Sequence, residues 1–284
     1  MPPRLKSRKK IGNFSHLYSP KTDKMKNLKF VAAFLIAAML SSCLDTEEKI
    51  VLNADNSGIY TLTIDMGRML KMAAGMGAKT DSPGAKEKKD TTINLGPLLT
   101  SANDLTAAEK LLYKEAVVHA TVDESKDEMI IVMTTPFKNS IDLVEIKNNF
   151  STVINKSKAL EKATGKKATS GLESIDLKPD AKSTNPLGEL FTFVASPGKL
   201  SNSITNMDAF KKKVATDSSL TMMRQMTAMM GDFNYRTILV LPKPVKGYDG
   251  PGSTISADKK KVTFLTSLTE MIEHPEKVSY KVTY

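Results

Sequence analysis

Apolar and polar residues alternate where the mature part of the chain begins. In EKIVLNADNSGIYTLTID, residues 48–65, Tyr60, Leu62 and Ile64 alternate with Ile59, Thr61 and Thr63, which predicts a β-hairpin turning around Ala54 to Gly58. The Asp55-Asn56-Ser57-Gly58 stretch shares residue types with calcium loops, but it lacks their spaced carboxylates and closing Glu, so it reads as a plain turn. Residues 66–77 place Met66, Met69, Leu70, Met72 and Ala73 on or near one helical face. Residues 78–92 are polar and contain Gly and Pro, which predicts an exposed loop.

Thr106 and Glu109 match a capping box and open a predicted helix, LTAAEKLLYKEAV, with Leu105, Leu111 and Leu112 facing inward. VVHATV (117–122) and MIIVMTT (129–135) flank the polar turn DESKDE and predict a second hairpin. Ser140 is the expected cap of the next helix, where Ile141, Val144, Ile146, Phe150, Val153 and Ile154 recur at helical spacing until about Ala159. From Lys162 to Gly188 the composition turns to Lys, Ser, Thr, Gly and Pro, which predicts a flexible insertion.

LFTFVA (190–195) reads as a strand. Asn206 or Asp208 then starts a second Met-rich helix that ends in TMMRQMTAMMGD. The last fifty residues supply NYRTILVLP, KKVTFLTS and KVSYKVTY, with Val278, Tyr280, Val282 and Tyr284 on one face. Ser267 and Glu270 form another capping-box match before Pro275, and KPVKGYDGPGS (243–253) reads as a connection between strands. Strand runs bracket the helices, so the expected class is α+β: a largely antiparallel sheet with about four helices, two of them Met-rich. No internal repeat stands out.

Ahead of this body lies Phe30 to Leu40, FVAAFLIAAML, an apolar run of 11 residues preceded by Lys26 and Lys29 and followed by Ser41, Ser42 and Cys43. The run is too short to span a bilayer and has the length and flanks of a secretory signal. Leu40-Ser41-Ser42-Cys43 resembles the lipobox of bacterial lipoproteins. That resemblance implies cleavage before Cys43, diacylation of its thiol and acylation of the new amino terminus. Residues 25–42 then form the signal peptide, and residues 1–24 are an extended leader or a mis-called start ahead of Met25. Residues 43–48 are expected as a lipidated acidic tether, and 49–284 as a single domain.

The leader also accounts for most of the charge. It carries nine of the 41 Lys and Arg and one of the 31 acids, so the mature chain holds 32 basic and 30 acidic groups. The formal +10 of the whole chain therefore does not point to nucleic acid. Lys211 to Lys213 and the Lys86 to Lys89 cluster read as solvated faces.

The order of parts, a lipobox cysteine, IYTLTIDMGRMLKM after an Asp-Asn-Ser-Gly turn, and a closing LPKPVKGYDGPGSTISADKKKVTFLTSL followed by SYKVTY, resembles predicted outer-membrane lipoproteins of Bacteroidota. Its two ends are also similar to the mycobacterial LppM-type lipoprotein domain. The first likeness implies an outer-membrane location, with periplasmic and surface facing both open. The second implies an α+β fold with an apolar cavity for envelope glycolipid.

The reactive inventory is small. His16 lies in the leader, His119 in a predicted strand and His274 directly before a proline, and neither of the last two has a nucleophile elbow nearby. No HExxH, Walker or GxGxxG pattern occurs, and a single Cys forms no disulfide within one chain. No cofactor and no metal are implied. Asp90-Thr91-Thr92 resembles the O-glycosylation acceptor of Bacteroidota and suits an exposed loop.

Methionine is the compositional oddity. Thirteen of the 16 fall in the mature chain, nine of them at 66, 69, 72, 76, 222, 223, 226, 229 and 230. Ordinary core packing, an adaptable apolar binding face and thioether capture of Cu(I) are three readings, which the burial of these side chains separates. The candidate ligand-lining set is Met66, Met69, Met72, Met222, Met226 and Met229. The expected function is a non-enzymatic binding or scaffold module, held to the membrane by lipid on Cys43, for an apolar, lipid-like envelope ligand or a partner protein. The alternative is a carboxylate-dependent envelope hydrolase or carbohydrate-active enzyme.

Overall fold

Both predicted hairpins form. In the computed structural model, β1 (Leu44–Leu52) pairs antiparallel with β2 (Gly58–Asp65), setting Leu52 against Gly58 and Thr46 against Ile64. At the turn the Asp55 carboxylate accepts from the Ser57 N–H and hydroxyl, and Asn56 takes the left-handed conformation that short polar side chains tolerate. The structure describes residues 44–68, 71, 88–164, 190–217, 220–221, 224–225, 227–228 and 231–284. The chain divides into two units at the Ser42/Cys43 bond, and all of these residues belong to the second, Cys43–Tyr284.

Eight strands form one sheet. Besides β1 and β2 it contains β3 (Lys88–Asn94), β4 (Val117–Asp123), β5 (Glu128–Phe137), β8 (Asn234–Val240), β10 (Thr254–Ile255) and β11 (Lys261–Ser267). Their order is β10-β11-β8-β1-β2-β5-β4-β3, and every pairing is antiparallel except β1 with β8. A second sheet has the order β6-β7-β12-β9, from β6 (Phe191–Ser196), β7 (Lys199–Ile204), β9 (Gly247–Asp249) and β12 (Tyr280–Thr283).

Six α-helices lie wholly within the described residues: α1 (Leu95–Thr100), α2 (Ala107–Leu112), α3 (Ser140–Ser157), α4 (Ala159–Thr164), α5 (Met207–Thr216) and α6 (Leu268–Glu273); residues 67–68, 71, 220–221, 224–225 and 227–228 are helical as well. Of these six, α3 alone, with 18 residues, exceeds ten. The described residues are therefore mainly β, with twelve strands in two sheets, and the expected α+β class, a largely antiparallel sheet with about four helices, is overturned.

Two causes account for the difference. Strands hide where no apolar pattern marks them: the expected loop 78–92 yields to β3 from Lys88 onward, and the expected connection 243–253 contains β9. Both are edge strands, and an edge strand with little buried surface has no need of apolar side chains. Helices also run shorter than predicted. The Thr106 capping box forms as expected, yet α2 ends at Leu112, so Leu111 is 72% exposed and Tyr113 fills the inward position instead.

The amphipathic α3 is capped by Asn139, not Ser140, through its carboxamide oxygen and the N–H groups of Ile141 and Asp142. It buries Leu143, Ile146, Phe150, Val153 and Ile154, and leaves Ile141 exposed. Leu44 to Glu48, expected as a tether, form the first part of β1. Most of the flexible insertion expected at 162–188 lies outside the described residues, of which Lys162 to Thr164 complete α4.

Period-two alternation sends one face of the large sheet inward: Ile50 and Leu52, Tyr60, Val118 and Ala120, Ile131 and Met133, Leu239, Val262 and Phe264. α3 covers β5 and the neighbouring β6, and α4 covers β3 and β4. Phe193, Leu200, Tyr280 and Val282 of the small sheet join the same core. A second, smaller core gathers Phe210, Val214, Leu220, Leu268 and Ile272.

Candidate functional site

The polar centre of the molecule begins with two adjacent acids on β1. Glu47 points outward to Arg236 at 3.6 Å, so strand alternation turns Glu48 inward, where it is 1% exposed. Lys147 of α3, one residue from the apolar seam at Ile146, extends its ammonium to the Glu48 carboxylate. The same Nζ stands 5.0 Å from the centroid of the Phe193 ring on β6, within cation–π range. Thr237 of β8 donates its hydroxyl to the other carboxylate oxygen at 3.5 Å.

Three tyrosines surround this pair. Burial, followed by the nearby Glu48 charge, pushes the hydroxyls of Tyr60, Tyr235 and Tyr280 well above the ordinary tyrosine range, and those of Tyr60 and Tyr235 hydrogen-bond Glu48. Tyr280 stacks on Phe264 at 4.8 Å, and its hydroxyl has no hydrogen-bond partner among the described residues. The same holds for Asn202 Oδ1 and Thr135 Oγ1, which sit directly across the ladder from Tyr280 and Tyr60. Glu48 and Lys147 neutralise each other where β1, β8, α3 and β6 meet. The arrangement fixes the helix and the small sheet on the large sheet; it presents no unpaired acid for proton transfer. Sequence reasoning missed it, because Glu48 beside Glu47 reads as one more surface acid.

The histidines sit on the surface. His119 is 41% exposed, with Nδ1 2.9 Å from Thr92 Oγ1 and Nε2 3.6 Å from Asp90. Hydroxyl, imidazole and carboxylate thus line up, but they do so on an open sheet face rather than in a cleft with converging N–H groups. Asp90, Thr91 and Thr92 belong to the edge strand β3, not to the loop expected for a glycosylation acceptor. His274 is 52% exposed, with Nδ1 3.6 Å from Glu276. No cluster of three or more metal-ligating side chains occurs among the described residues.

Of the candidate ligand-lining residues, Met66 is described. It directly follows β2, donates its N–H to Met129 O at 2.8 Å and packs half-buried against the main core. Met69, Met72, Met222, Met226, Met229 and Cys43, the residue expected to carry lipid, lie outside the described residues. The two Met-rich segments are nevertheless tied together. Arg68, at the start of the first, donates from Nη2 to Asp232 O at 2.9 Å and lies 5.5 Å from the centroid of the Phe233 ring, at the end of the second. Asp232 also accepts the Thr269 N–H at 3.1 Å, and Phe233 O accepts the Leu268 N–H at 2.8 Å, which joins α6 to the same knot. Beside it, a cleft of about 200 Å³ is lined by Arg224, Thr227, Leu268, Thr269, Ile272 and Glu273. It has an aliphatic floor and a single carboxylate.

No family model matches the chain, and neither a curated protein nor a solved structure is similar to it at a significant level.

Proposed function

We propose that the protein is an envelope lipoprotein, anchored to the outer membrane through acylated Cys43, that acts as a non-enzymatic binding or scaffold module. The carrying observation is a coincidence of boundaries: the lipobox cleavage bond, Ser42/Cys43, is also the bond at which the folded unit begins. Cleavage there releases the body intact. Two or three acyl chains at about 0.8 kcal/mol per buried methylene hold such a body stably without a spanning segment. The ligand side of the proposal is an apolar, lipid-like molecule or a partner protein. It is supported by the convergence of the two Met-rich segments at Arg68 and Asp232, since methionine suits adaptable apolar surfaces.

Intact mass of the protein purified from its native membrane in mild detergent tests this reading, with Cys43→Ala as control and extraction of co-purifying lipid. A chain beginning at Cys43 with acyl chains attached, accompanied by a stoichiometric extracted lipid, is the expected result. An unmodified chain retaining residues 25–42 would overturn the anchor; an acylated chain with nothing bound would leave the scaffold role alone.

A further inference from the structure

The start of β1 fixes which end of the molecule meets the membrane. Leu44 is already in the sheet, paired with Asn234 of β8, so no free chain separates the lipidation residue from the fold. A residue advances the chain by under 4 Å, which is less than the thickness of a headgroup layer. The register extends this height across the sheet. Asn234 stands opposite Ser267, the residue that leads into α6. On the other side, Met66 bonds Met129, Met129 stands opposite Val122, and Val122 opposite Lys89.

Two features extend beyond this row, away from the body of the sheet. One is the turn from Glu124 to Asp127 between β4 and β5; the other is α6, locked to Asp232 and Phe233. The opposite end carries the Ala54 turn, separated from Leu44 by the nine residues of β1, about 30 Å.

We infer that the end of the large sheet at which β1 begins, with α6 and the Glu124–Asp127 turn, lies against the headgroup layer of the bilayer holding the Cys43 acyl chains. The Ala54 turn then projects away from it. The inference rests on the lipid-anchor reading above and adds the orientation. The occupant of this surface is lipid and not another protein, because the covalent connection brings lipid within one residue of it. Exposed charges of both signs are present there, Lys126 and Arg224 with Asp127 and Glu273, so attraction to anionic lipid does not impose the contact; the missing tether does.

The test uses the acylated full chain in phosphatidylcholine vesicles carrying a small fraction of headgroup-spin-labelled lipid. Because acylation occupies the thiol of Cys43, single fluorophores attach at introduced cysteines: Lys126→Cys and Glu273→Cys at the near end, Ala54→Cys at the far end. All three positions are exposed. Quenching several-fold stronger at 126 and 273 than at 54 is expected. Equal quenching at the three sites, or the strongest at 54, would overturn the orientation while leaving the anchor in place.

A Gly/Ser insert of about ten residues between Cys43 and Leu44, whose ends average about 17 Å apart, should remove the contrast. A contrast that survives the insert overturns the claim that tether length sets the orientation. A chain that is neither acylated by mass nor recovered with the vesicles instead overturns the lipid-anchor reading itself.

Discussion

Glu48 and Lys147, 99 residues apart in sequence, form an ion pair that is largely withdrawn from water, Glu48 beside the buried Ile50 and Leu52 on its face of β1 and Lys147 beside the buried Ile146 of α3. Such a pair is specific rather than strongly stabilising, because desolvating two charges offsets most of their attraction. Removing one partner is a different matter. Lys147→Met leaves a buried carboxylate without its counter-charge and should cost about 3–5 kcal/mol in urea unfolding. The double variant Glu48→Leu with Lys147→Met should recover most of that loss. A double variant as unstable as the single one would show that the pair is not what holds α3 to β1.

The tyrosines around the pair predict a cooperative loss of structure at high pH. The hydroxyls of Tyr60, Tyr235 and Tyr280 lie well above the ordinary value of 10.0, and burial also raises that of Tyr113. A group raised on folding contributes stability that is complete below its unfolded value and is lost as the pH climbs toward its folded one. Stability should therefore hold up to about pH 10 and fall beyond it. Tyrosinate absorbance from these four residues should appear together with the loss of sheet circular dichroism. Gradual ionisation while the sheet remains intact would contradict the buried placement.

Gly58 opens β2 where the ladder leaves no room for a side chain. A Cβ there would lie 1.9 Å from Val51 O and 2.6 Å from Phe137 Cζ, and the first of these is backbone that cannot swing aside. Gly58→Ala should destabilise by about 3 kcal/mol, the upper range of overpacking, as read from the thermal midpoint. An unchanged midpoint would mean that the first hairpin is looser than its register implies.

The capping box of α2 offers a milder test. The Thr106 hydroxyl accepts from the Glu109 N–H, and the Glu109 carboxylate accepts from the Thr106 N–H, bonds that hold the Glu109 carboxyl below its usual range. Thr106→Ala should cost about 1 kcal/mol, whereas Thr106→Ser keeps the acceptor and should cost little. Equal losses in the two variants would assign the effect to the lost methyl group.

Both hairpins are legible in the sequence, the first from the alternation of Tyr60, Leu62 and Ile64 with Thr61 and Thr63, the second from two apolar runs, VVHATV and MIIVMTT, on either side of the polar DESKDE. β3 is not: KKDTTIN has one large apolar residue, Ile93, and its position at the sheet edge asks for no more. α2 was overread because LTAAEKLLYKEAV has good helical propensity throughout, while Tyr113 is committed to a fully buried position with its hydroxyl on Ile146 O. The Leu40-Ser41-Ser42-Cys43 motif behind the proposed anchor is a contiguous string and needs no fold to be read. The Glu48 centre is the reverse case. No local pattern announces a pair whose members are set by the pleat of a strand and the turn of a distant helix.

The parallel pairing of β1 with β8 sets the order in which the protein can be finished. A chain synthesised amino end first delivers β1 early, yet the strand that covers its second edge begins at Asn234. Until then β1 and β2 present an open hydrogen-bonding edge, and the ladder closes only after most of the sequence has emerged. A chain halted before Asn234 keeps its first hairpin and its adhesive edge with nothing to seal it, so incomplete copies should aggregate where complete ones do not. The last fifth of the sequence thus decides when the first strand becomes safe.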